Sequence, residues 1–503
     1  MKKTAFVCAL LALSSVAAIT VVGPSAGAAE PRTAAPVMTA SAATVAGLEP
    51  CEGLDALPTA RCGVLSLPLD RTRPAKGTTS VAFALVPHTD TTQVGLGTIV
   101  PNPGGPGDSA IDLAGDLFGQ AFAGLSDRRD LLLIDPRGVG RSGPITCPAL
   151  ARPARAFLGL EQQRALIGKC GRQLGERVGD YGTAAFADDI DAVRARLGVD
   201  RLDLVGVSYG TYLMPVYAQR HPTRVRTVTL AGAYAVNLNP VGPGDVAAFR
   251  RAVRLVCQRT EKCSGKKVLA DLSALAQRLR TNPSRVNVTY RGTTHNVVLD
   301  EWRMTTTAAS VYASQADTKS ELALASAAAA ARHGNLEPFR NLVRKHITAS
   351  ADAFSLGSHL YSETLAWAAT CHDYPRDFDY ADRLATRRAD YNRVQARLSA
   401  KDFAPFSPMA WVTRADYDTA ACLNWPKDPT AKSPLPRGAK LPDVPVLVLS
   451  GDLDANTSSA AGRQAAAQFP HATFKEFKGA GHTPASTPEG VQEILSFIVA
   501  GQA

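Results

Sequence analysis

An α/β layered domain is the fold class that this 503-residue chain predicts. Its sheet is mostly parallel, covered by helices, and interrupted late by a mainly helical insertion. Three observations carry that expectation. Short β-branched runs alternate with helical patterns, as in successive crossover units. Several runs are wholly apolar, as strands covered on both faces must be. The alternation stops between about Tyr234 and Pro442, then resumes. The length exceeds one ordinary core, so two structural units are expected.

Taken in order, residues 1–29 read as a secretion signal. Lys2 and Lys3 form a basic start, Ala5–Val22 is apolar, and small residues fill 25–29. Ser14, Ser15, Thr20 and Pro24 argue against a membrane anchor, and no later segment approaches the roughly 18 uninterrupted apolar residues of a span. Residues 30–47, rich in Ala, Thr and Pro, form a flexible leader or pro-segment. The first part of the core, 48–233, holds six strand candidates: Val64–Leu69, Ser80–Val86, Thr98–Pro101, Leu131–Ile134, Leu202–Val207 and Arg226–Leu230. Thr183–Leu197 is an amphipathic helix, with Thr183 as its cap, Phe186, Ile190, Val193 and Leu197 on one face, and Gly198 as its stop. Residues 234–442, rich in alanine and arginine, form the mainly helical cap, clearest at Leu322–Arg332 and Pro338–His346. The core returns over 443–503 with Val444–Ser450 and Thr473–Phe477, so the cap enters between the sixth and seventh core strands.

Cysteine usage agrees with export. Without Cys8, eight cysteines remain; they allow about 105 connectivities, and pairing of sequence neighbours gives Cys51–Cys62, Cys147–Cys170, Cys257–Cys263 and Cys371–Cys422. No zinc-ligand spacing occurs, and no metal is expected. The net charge of +10 is spread over scattered arginines, which describes a solvated surface with at most loose attraction to an anionic cell wall. It is not a nucleic-acid footprint.

The chemistry is concentrated in four loops. Gly206-Val207-Ser208-Tyr209-Gly210 follows one apolar run and opens a helical one. That context makes Ser208 a nucleophile on a strained strand-to-helix turn, whereas the same pattern at Gly23–Gly27 lies inside the signal. A serine hydroxyl needs a base, and the base an orienting carboxylate. His482 in Gly479-Ala480-Gly481-His482 follows the last strand, and Gly451-Asp452-Leu453-Asp454 follows the strand before it. Asp454 is favoured over Asp452 because it lies beyond the strand end. Ser, Asp, His is the chain order of α/β-hydrolases. Asn102-Pro103-Gly104-Gly105-Pro106-Gly107, after the third strand, offers an oxyanion donor at Gly105 or Gly104, with the N–H of Tyr209 as the second. Gly138-Val139-Gly140-Arg141-Ser142-Gly143 matches a dinucleotide fingerprint, but Pro144 and Pro148 prevent the helix that would cradle a pyrophosphate. No cofactor is expected. His372, in Cys371-His372-Asp373, reads as a loop residue beside a disulfide rather than a metal ligand.

With Asp135–Ser142, these motifs recur in an order that resembles the secreted tripeptidyl aminopeptidases, relatives of proline iminopeptidases among the α/β-hydrolases. The likeness spans nearly all the chain from Cys51. It implies a serine exopeptidase that removes short peptides, typically tripeptides, from free N-termini, with Ser208, Asp454 and His482 as the triad. Three departures stand out: Leu230-Ala231-Gly232 where Leu-Asp-Gly is usual, Asp108-Ser109-Ala110 closing the glycine-rich turn, and Pro215 inside the helix after Ser208, where a kink is expected. Recognition of a protonated amine calls for a partly buried carboxylate in the cap, and Glu363 and Asp373 are the candidates. The same machinery in a carboxylesterase is the alternative. An inactive exported binding protein is disfavoured because every catalytic element is present.

Overall fold

The computed structural model describes residues 47–239, 242–414 and 418–501. The expected secretion signal and all but the last residue of the leader lie outside the described residues. Nine strands form one sheet in the order β1-β2-β3-β5-β4-β6-β7-β10-β11. They are β1 (Glu49–Pro50), β2 (Arg61–Pro68), β3 (Thr78–Val86), β4 (Gly97–Asn102), β5 (Arg129–Ile134), β6 (Leu202–Val207), β7 (Val225–Ala231), β10 (Val446–Gly451) and β11 (Ala472–Phe477). From β5 to β11 all pairings are parallel, while β1, β2 and β3 form an antiparallel edge. Each of β4, β5, β7 and β10 is buried throughout, and their apolar stretches are broken only by buried polar residues such as Arg129, Asp130 and Arg226. Each of the eight anticipated strands is present to within about three residues. The two-residue β1 carries no periodic signal and was not foreseen.

Apolar clusters cover both faces of the sheet. Phe186, Ile190, Tyr212, Met214 and Val216 pack with Val100, Leu204 and Val228 on one face. Leu54, Phe122, Ile494 and Ile498 pack with Leu133, Val205 and Leu449 on the other. The helix Gly210–Arg220 is unbroken across Pro215.

The insertion between β7 and β10 has a core of its own, built on Phe249, Leu272, Phe339 and Trp411. It is not wholly helical: β8 (Ser284–Tyr290) and β9 (Thr293–Leu299) form an antiparallel hairpin. Val286, Val288, Val297 and Leu299 are its buried alternate positions, and Arg291 and Gly292 both take positive φ at the turn. Disulfides join Cys51–Cys62, Cys147–Cys170, Cys257–Cys263 and Cys371–Cys422, the neighbour pairing expected. No helix among the described residues is long and apolar enough to cross a membrane.

The helix Thr183–Arg196 begins differently from expectation. Gly182 is its N-cap and Thr183 does not cap it. The Thr183 hydroxyl turns instead to Asp373 Oδ2 (2.6 Å) and Tyr209 Oη (2.7 Å), and that carboxylate also accepts the Thr183 backbone N–H (2.7 Å). A carboxylate from the insertion therefore satisfies this helix start, a long-range solution that local sequence cannot reveal.

Candidate active site

Four chain segments converge at the carboxyl edge of the parallel strands, where open α/β sheets place their ligands. Ser208 follows β6 with φ 53°, the left-handed conformation that marks a strained turn. Its N–H donates to Ala231 O (3.0 Å), and its own carbonyl accepts from Thr211 N–H (2.8 Å) and Oγ1 (2.6 Å). The flanking glycines are sterically required: a Cβ on Gly206 would lie 2.3 Å from Gly210 O, and one on Gly210 2.7 Å from Asn102 O.

His482 Nε2 lies 3.0 Å from Ser208 Oγ, and Nδ1 lies 3.1 Å from Asp454 Oδ2. A carboxylate can only accept, so Nδ1 carries the proton and Nε2 faces the serine with a lone pair. Asp454 is fixed in turn by the N–H groups of Asn456 (2.7 Å) and Thr457 (2.9 Å). Asp452 is engaged elsewhere, paired with Arg259 and accepting from Gly479 N–H (2.8 Å). The two loops also lean on the insertion, since His482 N–H donates to Ser314 O (2.9 Å) and Ala455 N–H to Tyr312 O (3.0 Å).

Two neighbours of the relay had not been singled out in the sequence. Thr457 Oγ1 donates to Asp454 Oδ2 (2.8 Å) and lies 2.9 Å from His482 Nδ1, bridging acid and base. Asn456 Nδ2 lies 3.1 Å from His482 Nε2. The signal was the run Asp454-x-Asn456-Thr457, polar residues that fold back on a preceding aspartate.

Beside the nucleophile, the turn after β4 makes its closest approach at Gly104. A Cβ there would lie 2.8 Å from Val207 O, 3.0 Å from Ser208 Cβ and 3.2 Å from Tyr209 N. The N–H groups of Tyr209 and Gly105 donate to no other group among the described residues. Asp135 holds this turn from below, accepting from Ser109 Oγ (2.8 Å), Ile111 N–H (3.0 Å) and Arg141 N–H (2.8 Å). Burial pushes its carboxyl up to about 6 against those bonds. The glycine-rich stretch from Gly138 to Gly143 is thus a structural buckle, and Arg137 completes it with a two-point contact to Asp189 (2.6 Å each).

The two carboxylates expected to hold an amine are otherwise occupied. Asp373 is buried, with Oδ2 on Thr183 and Oδ1 2.6 Å from His372 Nδ1. Glu363 Oε2 lies 2.6 Å from Arg155 Nη1, beside a crevice that Tyr361 and Ser362 also line. Asp373 has both oxygens held by donors inside the protein and is closed to a ligand, whereas Glu363 keeps one oxygen on Arg155 at the edge of the crevice.

A twisted parallel sheet with a serine elbow and late Asp and His loops defines the α/β-hydrolase class. The family model for the alpha/beta hydrolase fold matches residues 97–288, and the model described as TAP-like protein matches 407–503. Together they take in more than half of the sequence, and the chain belongs to the α/β-hydrolase family with a TAP-like C-terminal segment. It is 34% identical over 252 residues to serine protease Hip1 of Mycobacterium tuberculosis, covering 46% of each chain. It is 31% identical over 185 residues to a tripeptidyl aminopeptidase of Streptomyces lividans, covering 34% of each. Carboxylesterase B of Mycobacterium tuberculosis is 32% identical over 227 residues, covering 41% of this chain and 43% of that one. The matched stretch thus spans less than half the length of each relative.

Proposed function

We propose that the chain is an exported serine exopeptidase that removes short peptides, typically tripeptides, from free N-termini. The observation that carries the proposal is the continuous line Ser208, His482, Asp454 beside two unused backbone donors. Ser208 Oγ attacks the scissile carbonyl while His482 Nε2 takes its proton. Asp454 and Thr457 hold the imidazolium. The N–H groups of Tyr209 and Gly105 (or Gly104) meet the oxyanion, and His482 then protonates the leaving amine. Water, deprotonated by the same histidine, releases the acyl group.

The TAP-like segment and the likeness to the Streptomyces tripeptidyl aminopeptidase support peptide N-termini as substrate. Four disulfides support an oxidising, extracellular location. The relative named carboxylesterase B favours a second reading, hydrolysis of small esters by the same residues. Mass spectrometry of products from peptides with free and acetylated N-termini separates the two. Release of tripeptides from free N-termini only, abolished in Ser208→Ala, is expected. Cleavage of esters without any peptide product would establish the second reading.

A further inference from the structure

An enzyme confined to free N-termini must hold an ammonium ion; Asp373 is closed to one, and Glu363 already carries the Arg155 guanidinium. Asp108 is differently placed. Its backbone is fixed by an antiparallel bridge to Tyr361, flanked by hydrogen bonds from Ser362 N–H to Gly107 O and from Ser109 N–H to Leu360 O, both 2.9 Å. Neighbouring side chains in extended pairing face opposite ways. Ser109 points into the core, its hydroxyl on Asp135. Asp108 therefore takes the other, partly exposed face. There its carboxylate makes no hydrogen bond or ion pair among the described residues. Asp112, the half-buried acid four residues on, is by contrast paired with Arg141.

The turn also keeps Asp108 near the nucleophile. Gly104 packs on Ser208 and Tyr209, and a Cβ on Gly105 would lie 3.0 Å from Asp108 N, so the loop folds back on itself. The amine of a tripeptidyl group lies at most about 10 Å from its scissile carbonyl, at roughly 3.3–3.6 Å per residue. Only four positions of folded loop separate Asp108 from Gly104, the residue that packs on Ser208.

We propose that Asp108 binds the protonated N-terminus of the substrate and so sets the length of the peptide released. This rests on the exopeptidase reading above. Burial without a partner pushes its carboxyl up to about 7, and an arriving ammonium supplies the missing charge.

The test compares wild type, Asp108→Asn and Asp108→Ser, each standardised by titration with a fluorophosphonate. Substrates are tripeptide anilides with free or acetylated N-termini, built on alanine or with one lysine. Wild type should prefer the free amine. In both variants that preference should fall by about 10- to 100-fold, through KM for the free-amine substrate. A wild-type preference that both variants keep would overturn the role of Asp108 and leave the exopeptidase standing. No preference in wild type would overturn both. A loss confined to the lysine substrates would assign Asp108 to a side-chain cation and overturn the N-terminal anchor. One soluble, titratable variant suffices for each outcome.

Discussion

Replacing Gly104 by alanine perturbs the oxyanion region while leaving every triad side chain chemically unchanged. The added methyl carbon would sit 2.8 Å from Val207 O and 3.0 Å from Ser208 Cβ, where ordinary contact begins at 3.4 Å. Both neighbours are part of the elbow, so either the turn or the nucleophile must move by about 0.6 Å, and φ +119° adds strain of about 1–3 kcal/mol. Losing one well-aimed oxyanion donor lowers kcat by roughly 10²–10³-fold, about 2.7–4 kcal/mol of transition-state stabilisation. We expect a fall in kcat of that order with KM changed little. The assay is steady-state hydrolysis of a tripeptide anilide, standardised by fluorophosphonate titration, with urea denaturation alongside. Gly77→Ala is the control: its φ is +114° but nothing lies within 4 Å, so it should lose stability and keep kcat. A folded Gly104→Ala enzyme with kcat within twofold of wild type would refute the assignment of this turn to the oxyanion.

Thr457→Val should lower kcat/KM by about 10- to 100-fold, because Asp454 and His482 lose the hydroxyl that joins them, while Thr457→Ser should restore most of it. A valine variant with full activity would show that the bridge is dispensable. Glu321 is buried with both oxygens unpartnered, and burial raises its carboxyl to about 7. The folded state therefore binds its proton more tightly, so stability is fully present below about pH 4.5 and declines up to about pH 7. The loss is at most about 3 kcal/mol, and Glu321→Gln should flatten this part of the stability–pH curve measured by denaturation; parallel curves would overturn it. Replacing Cys371 and Cys422 with serine opens a link between positions 51 residues apart, which should cost about 4 kcal/mol in urea denaturation. Unchanged stability would mean that the region is held by packing alone.

The parallel core was legible because its strands are buried on both faces, so Leu202–Val207 and Val446–Gly451 announce themselves as apolar runs. Ser208 and His482 were legible because glycines crowd around them for steric reasons that hold in any such turn. The β8–β9 hairpin was missed although its alternation and its Arg291-Gly292 turn are local signals; the helical runs on either side masked them. Asp373 was misjudged for another reason. Its carboxylate serves the start of a helix 190 residues earlier in the chain, and no local pattern reports a partner that distant. Asp108 stands out in the sequence only as a departure, because its lack of a counter-charge among the described residues depends on how the turn folds against Tyr361.

The carbonyls of Tyr312 and Ser314 have a mechanical consequence. They belong to the insertion, yet they hold the amides of the loops bearing the acid and the base. Gly481 confirms the intimacy, since a Cβ there would meet Ser314 O at 2.2 Å. Lifting this stretch away from the sheet would loosen His482 in the same motion, so this part of the insertion and the base share one cooperative unit. Amide exchange at Ala455 and His482 should therefore report the opening of the 310–316 segment rather than that of the sheet.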